Sequence, residues 1–189
     1  GPQSNRAALA AAWAGKLGME SILVLKKRGV LSGGNLIVDG ILGAQVRFVD
    51  TDSYDDVYAE MDRLMEALRA QGRTPYFIPV GGSVPVGCLG YVNCALEIAG
   101  QAEEMDVHFD AAVSAVGSGG TYAGLTLGAK LFLPGTRSVG IGVCDDPFEA
   151  IALELMQKTA ALLEAEAPVT KDDIHIRYHT GPGYAQPSM

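Results

Sequence analysis

The chain has 189 residues, of which 48% are hydrophobic and 19% are charged, and it contains 24 glycines. This composition excludes disorder and favours a compact fold with many tight turns, in one domain or in two lobes. The net charge is −8, and no basic stripe with interleaved aromatic residues is present, so nucleic acid is a poor partner. No apolar run reaches membrane-spanning length and no signal peptide is recognised, so we expect a cytoplasmic protein that does not bind membranes.

Helical and strand-like patterns alternate along the chain, starting with a predicted helix at about residues 6–17. The predicted strands are short and mostly apolar, as buried parallel strands are: 21–25, 45–49, 75–80, 111–116, 138–143 and 174–178. The predicted helices fill the gaps, at 35–42, 54–70, 86–104, 122–132 and 147–165. Glycines 43, 72 and 135 are stop signals, and Asp52, Ser53 and Asp145 are candidate caps. This order predicts an α/β fold with open parallel sheets and flanking helices.

A glycine-rich segment, Gly-Ser-Gly-Gly-Thr-Tyr-Ala-Gly at 117–124, lies between a predicted strand and a predicted helix. Glycines let backbone N–H groups approach an anion, Ser118 and Thr121 add hydroxyl donors, and the helix adds the positive end of its dipole. The segment lacks the Gly-Lys-Ser/Thr ending of a P-loop, and Tyr122 takes the place of the third glycine of G-x-G-x-x-G. We therefore expect a phosphorylated ligand other than a nucleotide. A tight turn without a ligand is the alternative.

Other loops also follow predicted strands, at the edge where parallel α/β sheets bind ligands. The segment Gly-Pro-Gln-Ser-Asn at 1–5 precedes the first helix, whose N–H groups can hold a carboxylate. The alternative is that Ser4 or Asn5 is only an N-cap. Glycine-rich turns at 79–83 and 181–184 are expected to converge on the same side, although Tyr184 taken alone is more typical of a hydrogen-bonded packing tyrosine.

No metal site is expected from the cysteines and histidines. Cys88, Cys94 and Cys144 have spacings that match no zinc or redox motif, so we interpret them as free thiols in a reducing compartment. The three histidines are scattered, without the spacing of metal ligands.

Six motifs occur together and in order: Gln-Ser-Asn at 3–5, Gly-Asn-Leu at 34–36, Ile-Pro-Val-Gly-Gly-Ser at 78–83, Leu-Gly-Tyr-Val at 89–92, Gly-Ser-Gly-Gly-Thr-Tyr-Ala-Gly-Leu at 117–125 and Gly-Pro-Gly-Tyr at 181–184. In these motifs the chain resembles the D-cysteine desulfhydrase and 1-aminocyclopropane-1-carboxylate deaminase family. The resemblance implies a tryptophan-synthase-β-like fold of type II that binds pyridoxal 5′-phosphate, and a homodimer. It places a small lobe at about 7–85, with 1–6 and 86–189 in a large cofactor-binding lobe that is truncated at both ends.

The resemblance also implies roles for individual residues. The phosphate of pyridoxal phosphate would be held by the glycine-rich loop, made of Gly117, Ser118, Gly119, Gly120 and Thr121. The pyridine-ring hydroxyl would pair with Asn5, and the substrate carboxylate would bind at Gln3, Ser4 and Asn5. Ser4 is in addition a candidate proton donor or nucleophile, and Tyr184 matches a catalytic tyrosine that faces the substrate on the cofactor.

Two expected residues have no counterpart in the chain. Members of the family bind the cofactor covalently through a lysine upstream of the Gln-Ser-Asn loop, and they carry a second active-site tyrosine beyond the Gly-Pro-Gly-Tyr turn. The chain therefore resembles an internal portion of a longer protein, and none of its own lysines matches the motif. The alternative from another functional class is a catalytically inactive phosphate-binding or scaffold fragment.

The activity implied is a lyase or deaminase acting on a small amino acid, foremost the conversion of D-cysteine to pyruvate, hydrogen sulfide and ammonia. Deamination of 1-aminocyclopropane-1-carboxylate and sulfite release from L-cysteate are the alternatives. Arg6 replaces a histidine or glutamine of the family, and its guanidinium could bind a sulfonate. The alternative for Arg6 is a solvated surface side chain. Val84-Pro85 replaces the common asparagine-containing continuation of Gly-Gly-Ser and could also alter substrate choice.

Overall fold

The computed structural model describes residues 1–29, 32–179 and 181. The chain divides into two compact units, 1–77 and 78–189, and each contains its own parallel sheet with helices packed against it. The predicted α/β class with parallel sheets and flanking helices is confirmed. The predicted lobe boundaries, with residues 7–85 in a small lobe, remain a prediction.

The first unit contains two parallel strands and three helices. In chain order they are α1 (Asn5–Lys16), β1 (Ile22–Lys26), α2 (Asn35–Ile41), β2 (Gln45–Val49) and α3 (Tyr54–Ala70). Ile22 pairs with Gln45 and Lys26 with Val49, so both strands end at the same edge of the sheet. Of the candidate caps, Ser53 begins α3, because its Oγ accepts the Asp55 N–H at 3.0 Å.

The second unit contains three parallel strands in the order β3-β4-β5. Its elements are α4 (Pro85–Met105), β3 (Ala111–Val116), α5 (Gly120–Phe132), β4 (Arg137–Gly142), α6 (Phe148–Leu162) and β5 (Ile176–Tyr178). Val116 pairs with Gly142, and Gly142 pairs with Tyr178, so the loops after all three strands lie at one edge. That edge carries the glycine-rich segment.

The strand predicted at 75–80 is wrong. Residues 75–79 have no regular secondary structure, and Val80–Gly82 forms a 3₁₀ helix instead. Pro75 and Pro79 have no N–H group, so the segment lacks two of the donors that a strand needs inside a sheet. Strict alternation of helix and strand therefore fails between α3 and α4.

The core of the second unit joins α4, α5 and α6. Cys88 and Val92 of α4 pack with Ala123 and Leu127 of α5, and with Met156 of α6. Tyr122 is also completely buried, and its hydroxyl accepts the His175 N–H at 2.8 Å, which connects α5 to the segment that leads into β5. The residue that replaces the third glycine of a dinucleotide motif is therefore a core residue.

Within the described part of the chain, no helix has the length and apolar character needed to cross a membrane. The three cysteines are free thiols, and only Cys88 among them is buried.

Candidate functional site

The glycine-rich loop makes a sharp turn between β3 and α5. Gly119, with φ of 87°, has the left-handed conformation that favours glycine, and a Cβ there would lie 2.8 Å from Ile151 Cγ2. The first hydrogen bond of α5 runs from Ala123 N to Gly119 O at 2.8 Å. The preceding N–H groups of the first helical turn have no acceptor within the helix, so they form the kind of positive terminus that binds anions.

A second loop approaches this turn from the start of α4. Ser83 Oγ accepts the Gly120 N–H at 3.1 Å and lies 2.9 Å from Ser118 Oγ. The approach depends on glycines, because a Cβ at Gly81 would lie 2.1 Å from Ser118 Oγ and a Cβ at Gly120 would lie 2.7 Å from Ser83 Oγ. The two glycine motifs of the second unit, 81–83 and 117–120, thus form one cluster of hydroxyl and N–H groups.

The Gln-Ser-Asn loop of the first unit is held by the Gly-Asn-Leu motif. Asn35 Nδ2 donates to Gln3 O at 2.9 Å and to Asn5 Oδ1 at 2.7 Å. Gln3 in turn accepts the Asn35 N–H on Oε1 at 2.9 Å and donates from Nε2 to Gly33 O at 3.3 Å. The side chain of Gln3 therefore connects its own loop to the start of α2, whereas Asn35 fixes the orientation of the Asn5 amide.

Ser4 is the N-cap of α1, because its Oγ accepts the Ala7 N–H at 3.2 Å. The sequence left open whether Ser4 acts as an N-cap, and the structure shows that it does. It uses an oxygen lone pair of Ser4 and leaves the hydroxyl proton available for another acceptor. Arg6 is exposed in the first turn of the same helix.

The loops after β4 and β5 lie at the same edge as the glycine-rich turn. Tyr178 accepts the Phe148 N–H at 3.2 Å and donates to Glu149 Oε2 at 2.5 Å, so it caps α6. The hydrogen bond to the Glu149 carboxylate raises the pKa of Tyr178. Cys144 Sγ lies 3.2 Å from Asp146 Oδ2, and burial raises the pKa of the Cys144 thiol. Both shifts favour the protonated form of the group.

Of the predicted site residues, the structure brings Gly117–Thr121 together in one turn and Gln3, Ser4 and Asn5 together in one loop. Tyr184 lies outside the described residues. Sequence reasoning missed Ser83 and Asn35 as individual residues, although both stand inside motifs that it recognised. The available signal was the glycine that directly precedes each of them in the sequence, Gly82 and Gly34. In the structure both glycines, like Gly81, have positive φ.

A parallel α/β unit in which a glycine-rich turn leads from the carboxyl end of a strand into a helix, as from β3 into α5, is typical of proteins that bind phosphorylated ligands on backbone N–H groups. The model of the pyridoxal-phosphate dependent enzymes matches residues 2–186, so the chain belongs to this family. Its cofactor is pyridoxal 5′-phosphate.

The chain is 36% identical to D-cysteine desulfhydrase from Serratia proteamaculans (strain 568), over 98% of this chain and 58% of the relative. It is 43% identical to a Pyrococcus horikoshii protein, provisionally named 1-aminocyclopropane-1-carboxylate deaminase, over 74% of this chain and 42% of the relative. Thus the chain spans about half the length of the relatives it matches.

Two solved structures show the same fold. A crystal structure of an ACC deaminase homologue has a TM-score of 0.85 at 35% identity, covering 97% of this chain and 55% of that one. Apo diaminopropionate ammonia lyase from Escherichia coli has a TM-score of 0.60 at 20% identity, covering 82% of this chain and 42% of that one. The second likeness concerns the fold alone.

The residues of the turn fit the phosphate of this cofactor. A Cβ at Gly81 would collide with Ser118 and one at Gly120 would collide with Ser83, so these glycines let the two hydroxyl groups gather beside the N–H groups of the turn. An oxyanion accepts hydrogen bonds from such N–H and hydroxyl donors without needing a cation. A site without a lysine or arginine is therefore chemically adequate for a phosphate.

Proposed function

We propose that the protein is a pyridoxal-phosphate dependent lyase that converts D-cysteine to pyruvate, hydrogen sulfide and ammonia. The observation that carries this proposal is the 36% identity with a D-cysteine desulfhydrase over 98% of the chain. The Pyrococcus horikoshii deaminase relative is more identical over 74% of the chain, and the ACC deaminase homologue of known structure is 35% identical over 97%, so the deaminase reaction is the second candidate. The desulfhydrase likeness thus extends through nearly all of both units.

In this proposal the phosphate binds at Gly117–Thr121. Gly119 provides the left-handed turn, and Ser118 and Thr121 provide hydroxyl groups. The Gly120 N–H donates to Ser83, so the N–H groups that follow it in the first turn of α5 would donate to the phosphate oxygens. The helix dipole adds a favourable field for the negative charge. These contacts position the cofactor and take no part in bond breaking.

Asn5 binds the pyridine-ring hydroxyl, and the arrangement of Asn35 supports this role. Asn35 Nδ2 faces two oxygen atoms, Gln3 O and Asn5 Oδ1, so the amide of Asn5 must present its oxygen to Asn35. The Nδ2 group of Asn5 is then the end that donates to the ring oxygen. Without Asn35, the Asn5 amide could rotate and lose this donor.

Gln3, Ser4 and Asn5 bind the substrate carboxylate at the beginning of α1, where backbone N–H groups and the helix dipole favour an anion. We assign Ser4 to proton transfer, because capping leaves its hydroxyl proton available, and Tyr184 to a position facing the reacting carbon. When bound, pyridoxal phosphate supplies an electron sink that stabilises negative charge at the α-carbon. The residues of this chain then hold the carboxylate, orient the ring and move the proton.

The test is to incubate the purified protein with pyridoxal phosphate and each of D-cysteine, L-cysteine, L-cysteate and 1-aminocyclopropane-1-carboxylate. Products are assayed as sulfide, sulfite and 2-oxo acid. We expect sulfide and pyruvate in equal amounts from D-cysteine, and a change in the visible absorption of the bound cofactor when this substrate is added.

Ser4→Ala should abolish most of the turnover and leave cofactor absorption intact. The control is Ser53→Ala, which removes the half-buried N-cap of α3. Release of a four-carbon 2-oxo acid from the cyclopropane substrate alone would instead assign the deaminase reaction. Sulfite from L-cysteate alone, lost on charge reversal at Arg6, would assign the sulfo-lyase reaction. No reaction and no Schiff-base absorption band would favour the inactive phosphate-binding fragment.

The same family likeness leads us to propose a homodimer and a cytoplasmic location. Sedimentation equilibrium with bound cofactor tests the first proposal, and cell fractionation tests the second. A monomer at micromolar concentration would contradict the dimer.

A further inference from the structure

Ser83 is joined to the glycine-rich turn by two hydrogen bonds, although 37 residues separate it from Gly120 in the chain. Its Oγ accepts the Gly120 N–H at 3.1 Å and donates to Ser118 Oγ at 2.9 Å. All three residues lie in the second unit. No role for Ser83 follows from the proposed function.

The backbone around Ser83 is shaped for this contact. Gly81 and Gly82 have φ of 72° and 52°, and a Cβ at Gly81 would collide with Ser118 at 2.1 Å from Oγ. On the other side, a Cβ at Gly120 would lie 3.1 Å from Ser83 Cα. Glycine on both loops therefore permits an approach that any side chain would prevent.

The two hydrogen bonds have a direction. A backbone N–H can only donate, so Gly120 must be the donor and Ser83 Oγ the acceptor. The Ser83 proton is then directed to Ser118, whose own proton is left to point away from Ser83. A phosphate oxygen can only accept, so it is a suitable partner for the Ser118 proton. The hydrogen bonds would then run in one direction, from Gly120 N–H to Ser83, from Ser83 to Ser118, and from Ser118 to the phosphate. Each bond in such a chain polarises the next one.

We propose that Ser83 is a positioning residue for the cofactor phosphate: it holds the Ser118 hydroxyl in the orientation that donates to a phosphate oxygen. This inference rests on the proposed binding of phosphate at Gly117–Thr121. Ser83 acts through Ser118 and needs no contact of its own with the phosphate.

The experiment is a double-mutant cycle on binding. Dissociation constants for pyridoxal phosphate and for pyridoxal, which lacks the phosphate, are measured by equilibrium dialysis for the wild type, Ser83→Ala, Ser118→Ala and the double variant. We expect each single variant to weaken pyridoxal phosphate about tenfold and to leave pyridoxal unchanged. The double variant should bind like Ser118→Ala alone, because the two residues act as one unit.

Two further variants separate positioning from packing. Ser83→Cys fills the same space with a weak hydrogen-bonding group, so it should show the same loss as Ser83→Ala. Ser138→Ala breaks a comparable hydroxyl pair, with Thr126 Oγ1 at 2.8 Å, at the start of β4, and it should leave both dissociation constants unchanged.

The outcomes are distinguishable. Two results would overturn the role of Ser83 and leave the proposed function untouched, provided that the wild type prefers pyridoxal phosphate to pyridoxal. One is an additive loss of affinity in the double variant, and the other is unchanged affinity in Ser83→Ala. A wild type that binds the two compounds equally overturns phosphate binding at this turn, and with it the proposed function.

Discussion

Asp39 of α2 is completely buried, and neither of its carboxylate oxygens has a hydrogen-bond partner among the described residues. A charged group in such surroundings loses its hydration without compensation. Burial accordingly raises the pKa of Asp39 above its ordinary value. This residue therefore opposes the stability of the first unit at neutral pH.

The pH dependence of unfolding should reveal this effect. The native state keeps Asp39 protonated at pH values where the unfolded chain has already released the proton, so the unfolded state binds fewer protons. The contribution to stability is fully present below the unfolded pKa, about 4, and is lost as pH rises through the raised native pKa. Asp39→Asn should flatten this part of the profile, measured by urea denaturation from pH 3 to 8.

The exposed Asp62→Asn of α3 is the matched control and should retain the wild-type slope. If Asp39→Asn also retains that slope, another group causes it.

Asn35 is the second residue whose position predicts an effect. Asn35→Ala removes the two hydrogen bonds that Asn35 Nδ2 donates to Gln3 O and Asn5 Oδ1, so the Asn5 amide is no longer fixed. We expect weaker binding of pyridoxal phosphate by roughly tenfold, since the proposed hydrogen bond from Asn5 to the ring oxygen is worth about 1–1.5 kcal/mol. Equilibrium dialysis measures this loss.

Asn93→Ala serves as the comparison, because the exposed Asn93 of α4 donates from Nδ2 to Glu97 Oε1 of the same helix, at 2.6 Å. Its affinity should equal that of the wild type. Wild-type affinity in Asn35→Ala would show that the loop keeps its shape without this side chain.

At the scale of elements, α4 and α5 approach each other closely along a stripe of glycines. Gly120, Gly124 and Gly128 recur every four residues on α5, and a Cβ at Gly124 would lie 2.5 Å from Cys88 O. The sequence assigned Gly124 to the phosphate-binding segment, whereas the structure uses it for helix packing. The glycines of this stripe thus allow close helix packing, and those at the start of α5 also belong to the proposed phosphate site.

Two helical glycines differ in their surroundings, and replacing them with alanine should change the free energy of unfolding in opposite directions. At Gly128, a Cβ would lie 2.5 Å from Ala95 Cβ and 3.0 Å from Val92 O, so Gly128→Ala should lower the free energy of unfolding by about 1–3 kcal/mol. At Gly90 of α4, nothing lies within 4 Å, so Gly90→Ala should raise it by up to about 1 kcal/mol. Chemical denaturation of both variants tests this, and equal effects would contradict the packing explanation.

At the scale of the whole molecule, local patterns predicted most of the elements. The bounds of β2, β3 and α3 agree with the sequence prediction residue for residue, because each has clear periodicity and ends at recognisable turn or cap residues. The segment 75–80 was predicted wrongly because its apolar residues resemble a strand while its prolines prevent one.

Other features could not be predicted because they depend on distant contacts. The apolar residues Leu9, Trp13 and Leu17 form a stripe along α1, yet they are exposed, whereas the small Ala8 and Ala11 are buried. Likewise, the pairing of Ser83 with Gly120 depends on how α4 and α5 pack. The family motifs indicated the loops of the site, and the roles of Gln3, Ser4, Asn5 and Tyr184 remain predictions.

The junction between Phe77 and Ile78 interrupts no regular element, because α3 ends at Ala70 and the next helical turn starts at Val80. The Gln-Ser-Asn loop is encoded before this junction and the glycine-rich turn after it. Chimaeric genes joined at this point would therefore exchange one loop between relatives while the other stays intact. If the two loops have the roles proposed above, such recombination would change the substrate-binding loop and leave the phosphate-binding loop unchanged.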